Sequence, residues 1–189
     1  MEEKKELFLE ICRTYIHREG VDELLRWLEE TDFFTAPAST RYHGNHEGGL
    51  LEHSLNVYRC LKARVSADPL CGASEESVAV AALFHDLCKV NFYKRGTKNV
   101  KVDGIWVSKE IYEIDEKFPC GDHSDKSIII LQNFIKLLPE EILAIRAHMG
   151  ANDSAVKGGS RFVDRIFERS RLAVHTHLAD MEAAYLMEE

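Results

Sequence analysis

Seven consecutive apolar residues, Val78–Phe84, run directly into the adjacent pair His85-Asp86. A helix that is apolar all round is buried on most sides, and Ser74 stands where an N-cap belongs. One buried helix is therefore predicted over about Glu75–Val90, with the pair inside it. Burying an ionised carboxylate is costly unless it is hydrogen-bonded, paired or bound to a cation, and the preceding VAVAALF offers no partner. The rest of the chain must wrap this helix and deliver something to Asp86. An aspartate turned to water, or capping a neighbouring helix, would meet the same demand, so the pair alone decides nothing.

The segments around it read as helices. Leu7, Phe8, Ile11, Cys12, Tyr15 and Ile16 recur at three-to-four spacing with Gly20 as the expected stop. Leu24, Leu25 and Leu28 mark a short helix over Val21–Glu30, and a long loop follows from Phe33 to Glu47. Leu50 to Val65 is amphipathic and closes at Asp68-Pro69. Further helices are expected over Ser124–Leu138, from Pro139 as first residue to Gly150, and over Phe162–Met187, with Gly158-Gly159-Ser160 as an internal loop. Between Asn99 and Lys117 the period changes to that of strands, and Val100, Val102, Ile105 and Val107 flank Asp103-Gly104, a strong hairpin signal. The expected fold is an all-α bundle with one small β-hairpin insertion near residues 99–117.

At 189 residues the chain fits one domain with its own core: N-terminal helices and loop over 1–47, and the site-bearing helices over 48–189. Five cysteines without a CxxC pair argue against a disulfide framework or a thiolate zinc site and read as reduced, mostly core residues. No apolar run is long enough for a membrane span, and the opening MEEKKE lacks signal-peptide character, so a cytoplasmic protein without membrane contact is expected. A net charge of −8 disfavours loose nucleic-acid binding. It does not exclude a phosphate substrate, because bound dications would offset part of it.

Nine histidines are distributed so that several helices or helix edges each carry a His, an Asp or both. Five blocks run in order: GGLLEHSLNV at 48–57, ALFHDLCK at 82–89, GDHSDKSI at 121–128, AIRAHMG at 144–150 and LADMEA at 178–183. In these blocks the chain resembles the HD superfamily of metal-dependent phosphohydrolases, from about residue 43 to 184. Carried over by position, the resemblance implies a basic ligand set of His53, His85, Asp86 and Asp180. His123 and His148 take the places of the two additional histidines of binuclear members, and Asp86 bridges two ions. Four imidazoles and two carboxylates suit two divalent transition-metal ions (iron, manganese, zinc, nickel or cobalt) rather than calcium. Such a pair can lower the pKa of a bridging water and hold a phosphoryl oxygen, so a metal-bridging hydroxide is the expected nucleophile.

The implied activity is hydrolysis of a phosphate mono- or diester on a small nucleotide-like substrate; oligomeric state is not legible. Lys89, three residues after Asp86, is placed to meet a phosphate oxygen. His43 and His46, in the loop before the first ligand helix, are candidates for phosphate contact or general acid. His177, one turn before Asp180, is a weaker candidate beside His175. Cys88 stands where the superfamily often has glycine. Two rivals share the ligand set, a di-iron oxygenase and a sensor that binds metal without turnover. An RNA-trimming nuclease is disfavoured by the acidic charge and the lack of aromatic-basic interleaving.

Overall fold

A computed structural model describes residues 1–188; Glu189, the last residue of the expected domain, lies outside the described residues. The elements run α1 (Glu2–Tyr15), α2 (Val21–Glu30), α3 (Gly49–Ser66), α4 (Glu75–Phe84), β1 (Tyr93–Val102), β2 (Ile105–Ile114), α5 (His123–Gln132), α6 (Pro139–Ala147), α7 (Ser154–Lys157), α8 (Phe162–Phe167) and α9 (Arg171–Glu182). Helices dominate and the two strands form one antiparallel hairpin, as expected.

Helix α4 is the axis of the fold. Ser74 caps it by accepting from the Ser77 amide, and every residue from Ser77 to Phe84 is buried. Around it, α3 packs on α4 and α9, α6 packs on α4 and α9, and α1 lies across α3 and α4. The apolar periodicity of α1 resolves into Phe8, Ile11 and Cys12 on its inner face, where Phe8 meets Phe33, Phe34 and Phe84 in tilted and edge-to-face contacts. One continuous apolar cluster runs from Phe8 through α3, α4 and α6 to Ala183 on the C-terminal side.

A second buried acid is closed entirely by the protein. Glu141, with no exposed surface, receives two hydrogen bonds from the Arg18 guanidinium, at 2.7 and 2.9 Å, and one from the Ser77 hydroxyl. It also accepts from the Leu138 amide at 2.8 Å, tying down the start of α6 behind Pro139.

Several boundaries differ from expectation. Helix α4 stops at Phe84 rather than Val90: Asp86 leaves helical geometry (φ −105°, ψ 21°) and Leu87–Lys89 form a 3₁₀ turn, so the His-Asp pair sits at the helix end. Gly20 caps the start of α2, whereas α1 already ends at Tyr15. Helix α5 ends at Gln132 instead of Leu138, and α6 ends at Ala147, with Gly150 beginning a 3₁₀ turn. The stretch from Phe162 to Met187 is not one helix. It breaks before Ser170, whose side chain caps α9 by accepting from Ala173, and finishes in a π turn over Ala183–Met187.

The hairpin turns at Asp103-Gly104, both with positive φ, the type I′ pattern. Its strands begin at Tyr93, six residues before the predicted start, and end at Ile114. The early strand Tyr93–Lys98 carries mostly polar residues without apolar alternation, so nothing in its pattern marks it. The hairpin tip is exposed at Val102, Ile105 and Trp106, while its base residue Tyr93 is partly buried and reaches the Ala38 carbonyl.

Candidate metal centre

Helices α4 and α6 end in the same way. The carbonyls of a last helical turn lack intrahelical donors. Here the next histidine supplies one: His85 Nδ1–H donates to the Ala82 carbonyl at 2.8 Å, and His148 Nδ1–H donates to the Ile145 carbonyl at 2.6 Å. Because a carbonyl only accepts, each ring carries a proton on Nδ1 and turns Nε2 past the helix end. His53, buried on α3, likewise donates from Nδ1, to the Glu188 carboxylate at 3.1 Å.

These Nε2 atoms converge. His53 Nε2 stands 3.2 Å from His85 Nε2, and 3.1 and 3.6 Å from Asp180 Oδ1 and Asp86 Oδ2. His85 Nε2 lies 3.4 Å from Asp86 Oδ2. On the far side of the same carboxylate, Asp86 Oδ1 faces His148 Nε2 at 3.6 Å and is hydrogen-bonded by His123 Nε2. The two oxygens of Asp86 thus look at different imidazole groups: His53 and His85 with Asp180 on one side, His123 and His148 on the other.

The donor set tests well for cations. Two acceptor nitrogens held at 3.2 Å with both Nδ1 protons already engaged need a proton or a cation between them. His148 Nε2 is buried with no hydrogen-bond partner, and burial lowers the pKa of this ring. Protons meet part of the charge demand. Against the cost of burial, the Asp180 and Glu188 carboxylates raise His53 to about 9, and Cys88 and Asp86 raise His123 to about 10. Within ligand-atom distance of one another lie His53, His85 and Asp180; His85, Asp86 and His148; and Asp86, Cys88 and His123.

The partner that Asp86 requires is partly local. Lys89, brought round by the 3₁₀ turn, places Nζ 2.6 Å from Asp86 Oδ2. Despite burial, Lys89 and the imidazoles of His85 and His123 hold the Asp86 carboxyl well below the usual carboxylate range. The apolar run before Asp86 suggested no counter-ion; the residue three positions after it is one.

Beside this cluster opens a cavity of about 270 Å³, lined by Asp86, Lys89, His123, His148 and Asp180, with His43 and Tyr93 at its wall. A larger groove, about 760 Å³, runs between α1 and α3, but its lining includes no histidine or cysteine. His43 stacks obliquely on His53, with ring centroids 4.9 Å apart. Burial, and then the positive charges of His53 and Lys89, lower its pKa. His46 is elsewhere: more than half exposed, it sits 3.7 Å from Glu52 and does not line the cavity.

The profile of the HD domain family matches residues 50–183. The chain belongs to the HD domain family. Membership places it in a superfamily of metal-dependent phosphohydrolases, and the buried His/Asp cluster fits that superfamily's metal site. No curated protein and no solved structure matches this HD domain. No described helix is long and apolar enough to cross a membrane, and all five cysteines are free, three of them buried.

Six of the sequence-predicted residues, His53, His85, Asp86, His123, His148 and Asp180, meet in this HD domain, with Lys89 and His43 beside them. His175 points away and bonds Asp68 at 2.8 Å. His177 has a definite place: it donates from Nδ1 to the His148 carbonyl at 2.6 Å and lies over Gly150. With φ at +52° and a would-be Cβ 2.4 Å from the imidazole, that position has no room for a side chain. Glu188 and Cys88, the latter 3.2 Å from His123 Nδ1, escaped the sequence reading as site residues. Glu188 lies 135 positions from His53 beyond a stretch read as continuous helix, and no spacing rule connects the two.

Proposed function

We propose that the protein hydrolyses phosphate esters of a small nucleotide-like substrate, using two divalent transition-metal ions bridged by Asp86. The observation that carries this reading is the division of Asp86, whose two oxygens face separate imidazole groups. His53, His85 and Asp180 would hold one cation with Asp86 Oδ2; His123 and His148 would hold the other with Asp86 Oδ1. Nitrogen-rich donors of this kind suit iron, manganese, zinc, nickel or cobalt. When bound, such a pair supplies a water acidic enough to ionise near neutral pH and a Lewis-acidic seat for a phosphoryl oxygen.

The chain's own residues do the remaining work. Lys89, buried and with its ammonium favoured by Asp86 despite that burial, offers a fixed positive charge to an anionic substrate oxygen at the cavity wall. His43, whose protonation is disfavoured by burial and its cationic neighbours, serves as a neutral hydrogen-bond donor to phosphate rather than as a reservoir of acid. Tyr93, pushed up to about 12 by burial, keeps its phenol proton. The modest volume favours a single phosphate group over a polymer.

Elemental analysis of anaerobically purified protein, followed by assay of each reconstituted metal form against nitrophenyl mono- and diesters and nucleoside monophosphates, tests the proposal. Release of nitrophenol or phosphate by protein holding two ions is the expected result. Absence of release from every metal form would sink it, and oxygen uptake by the iron form would put the oxygenase chemistry in its place.

A further inference from the structure

Helix α3 carries a stripe that the metal chemistry leaves unused. Asn56, Cys60 and Arg64 follow His53 at helical spacing on one side, and each grips the C-terminal segment. Arg64 pairs with Glu182 at 2.7 Å, Cys60 Sγ meets Met187 Sδ at 3.3 Å, and Asn56 Nδ2 donates to Glu188 Oε1 at 3.1 Å. The Asn56 amide is itself oriented, because its oxygen accepts from Arg59 at 2.8 Å and turns its NH₂ toward Glu188. The π turn over Ala183–Met187 ends α9, and Glu188 follows in extended geometry (φ −114°, ψ 141°). Its carboxylate is sealed against α3, 3% exposed, with both oxygens 3.1–3.2 Å from His53 Nδ1.

We propose that Glu188 is a positioning residue for the cation at His53: docked on the α3 stripe, its carboxylate fixes the ring with Nδ1 protonated and Nε2 aimed at His85, Asp86 and Asp180. His85 and His148 are oriented by carbonyls of their own helices, which are in place as soon as those helices form. His53 lies in the second turn of α3, where the carbonyls one turn back accept from the helix's own amides, so its orienting acceptor comes from another segment. A carboxylate in that role also makes the imidazole a stronger donor to a cation than a carbonyl does. This inference rests on the metal reading above and concerns the His53 side of Asp86 alone.

Glu188→Ala and Glu188→Gln test it, read by zinc titration of metal-free protein against a chromophoric chelator and by NMR of ¹⁵N-histidine-labelled protein. In Glu188→Ala, affinity for one zinc equivalent is expected to fall about 10–100-fold while the other is retained. Glu188→Gln, whose amide oxygen accepts the same hydrogen bond, recovers most of the loss. Before any zinc is added, a slowly exchanging low-field Nδ1–H resonance of His53 is expected in the wild type and in Glu188→Gln, and not in Glu188→Ala. Equal weakening of both equivalents would mark a merely structural role. Unchanged affinity, or survival of the resonance in Glu188→Ala, would likewise overturn the proposal. If the wild type takes up one zinc, the two-ion reading fails, but the comparison of variant with wild type still decides the role of Glu188. Should Glu188→Ala fail to fold, Glu188→Asp, too short to span His53 and Asn56 together, is read in the same assays with the same expected direction.

Discussion

Among the buried carboxylates, Glu141 and Asp86, 0% and 4% exposed, contrast in their partners. Glu141 is satisfied by protein groups alone: a bidentate guanidinium, a hydroxyl and a backbone amide. Asp86 has an ammonium on one oxygen and an imidazole on the other, yet the cluster around it retains a buried His148 nitrogen with no partner and two imidazole Nε2 atoms crowded to 3.2 Å. Buried charge by itself therefore does not mark a functional site. What separates the two clusters is leftover donor capacity, absent around Glu141 and concentrated around Asp86.

The difference can be broken at either end. The largest effect belongs to Asp86→Ala: metal content and phosphate-ester turnover should both drop to background, while far-ultraviolet circular dichroism stays that of the folded protein. Retained turnover would end the bridging role. Next comes Arg18→Ala, which strands Glu141 without its charge partner. Loss of about 3–5 kcal/mol in urea unfolding is expected, as for other broken buried pairs, with metal bound per folded molecule unchanged. A fall in metal content instead would mean that the two clusters are coupled through α6.

The smallest effect is a pH dependence. Arg18 also pairs with Glu76 and holds that carboxyl below its ordinary value of 4.5. A depressed carboxylate contributes stability above its unfolded pKa and loses it as pH falls through the folded one. The urea midpoint of the wild type should therefore decline below about pH 4.5 more steeply than that of Arg18→Ala. Parallel curves from pH 7 to 3 would show that the pair carries no linkage.

The two clusters also differ in how far the sequence announces them. Asp86 is legible because its demand is local: an acid at the end of an all-apolar run, with histidine-bearing blocks in a recognisable order. Arg18 and Glu141 lie 123 residues apart, the one in the turn between α1 and α2 and the other in the first turn of α6, each with charged neighbours, so neither stands out. The helices were predictable wherever a period of 3.6 runs uninterrupted, as in α1 and α3. Their ends were not. Helix α4 stops where Asp86 leaves helical geometry, and α9 starts at a single serine cap, neither marked by a break in the apolar pattern. Strand β1 was found only where valines alternate, because its first half, Lys94–Lys98, is held by pairing with β2 rather than by an apolar face. His46 shows the reverse: it shares the loop with His43, but the chain turns between them at Gly44 and leaves His46 outside the cavity lining.

At Gly150 the imidazole of His177 rests flat against bare backbone, and its Nδ1 is tied to the carbonyl two residues earlier. That contact works as a rivet. Sliding the end of α6 past the middle of α9 would break it, so it helps to set the spacing of the walls that carry His148 and Asp180. Thr40 and Tyr42, which also line the chamber, stand on a loop that no hydrogen bond among the described residues ties to α9, so room for a bulkier guest is more easily made there.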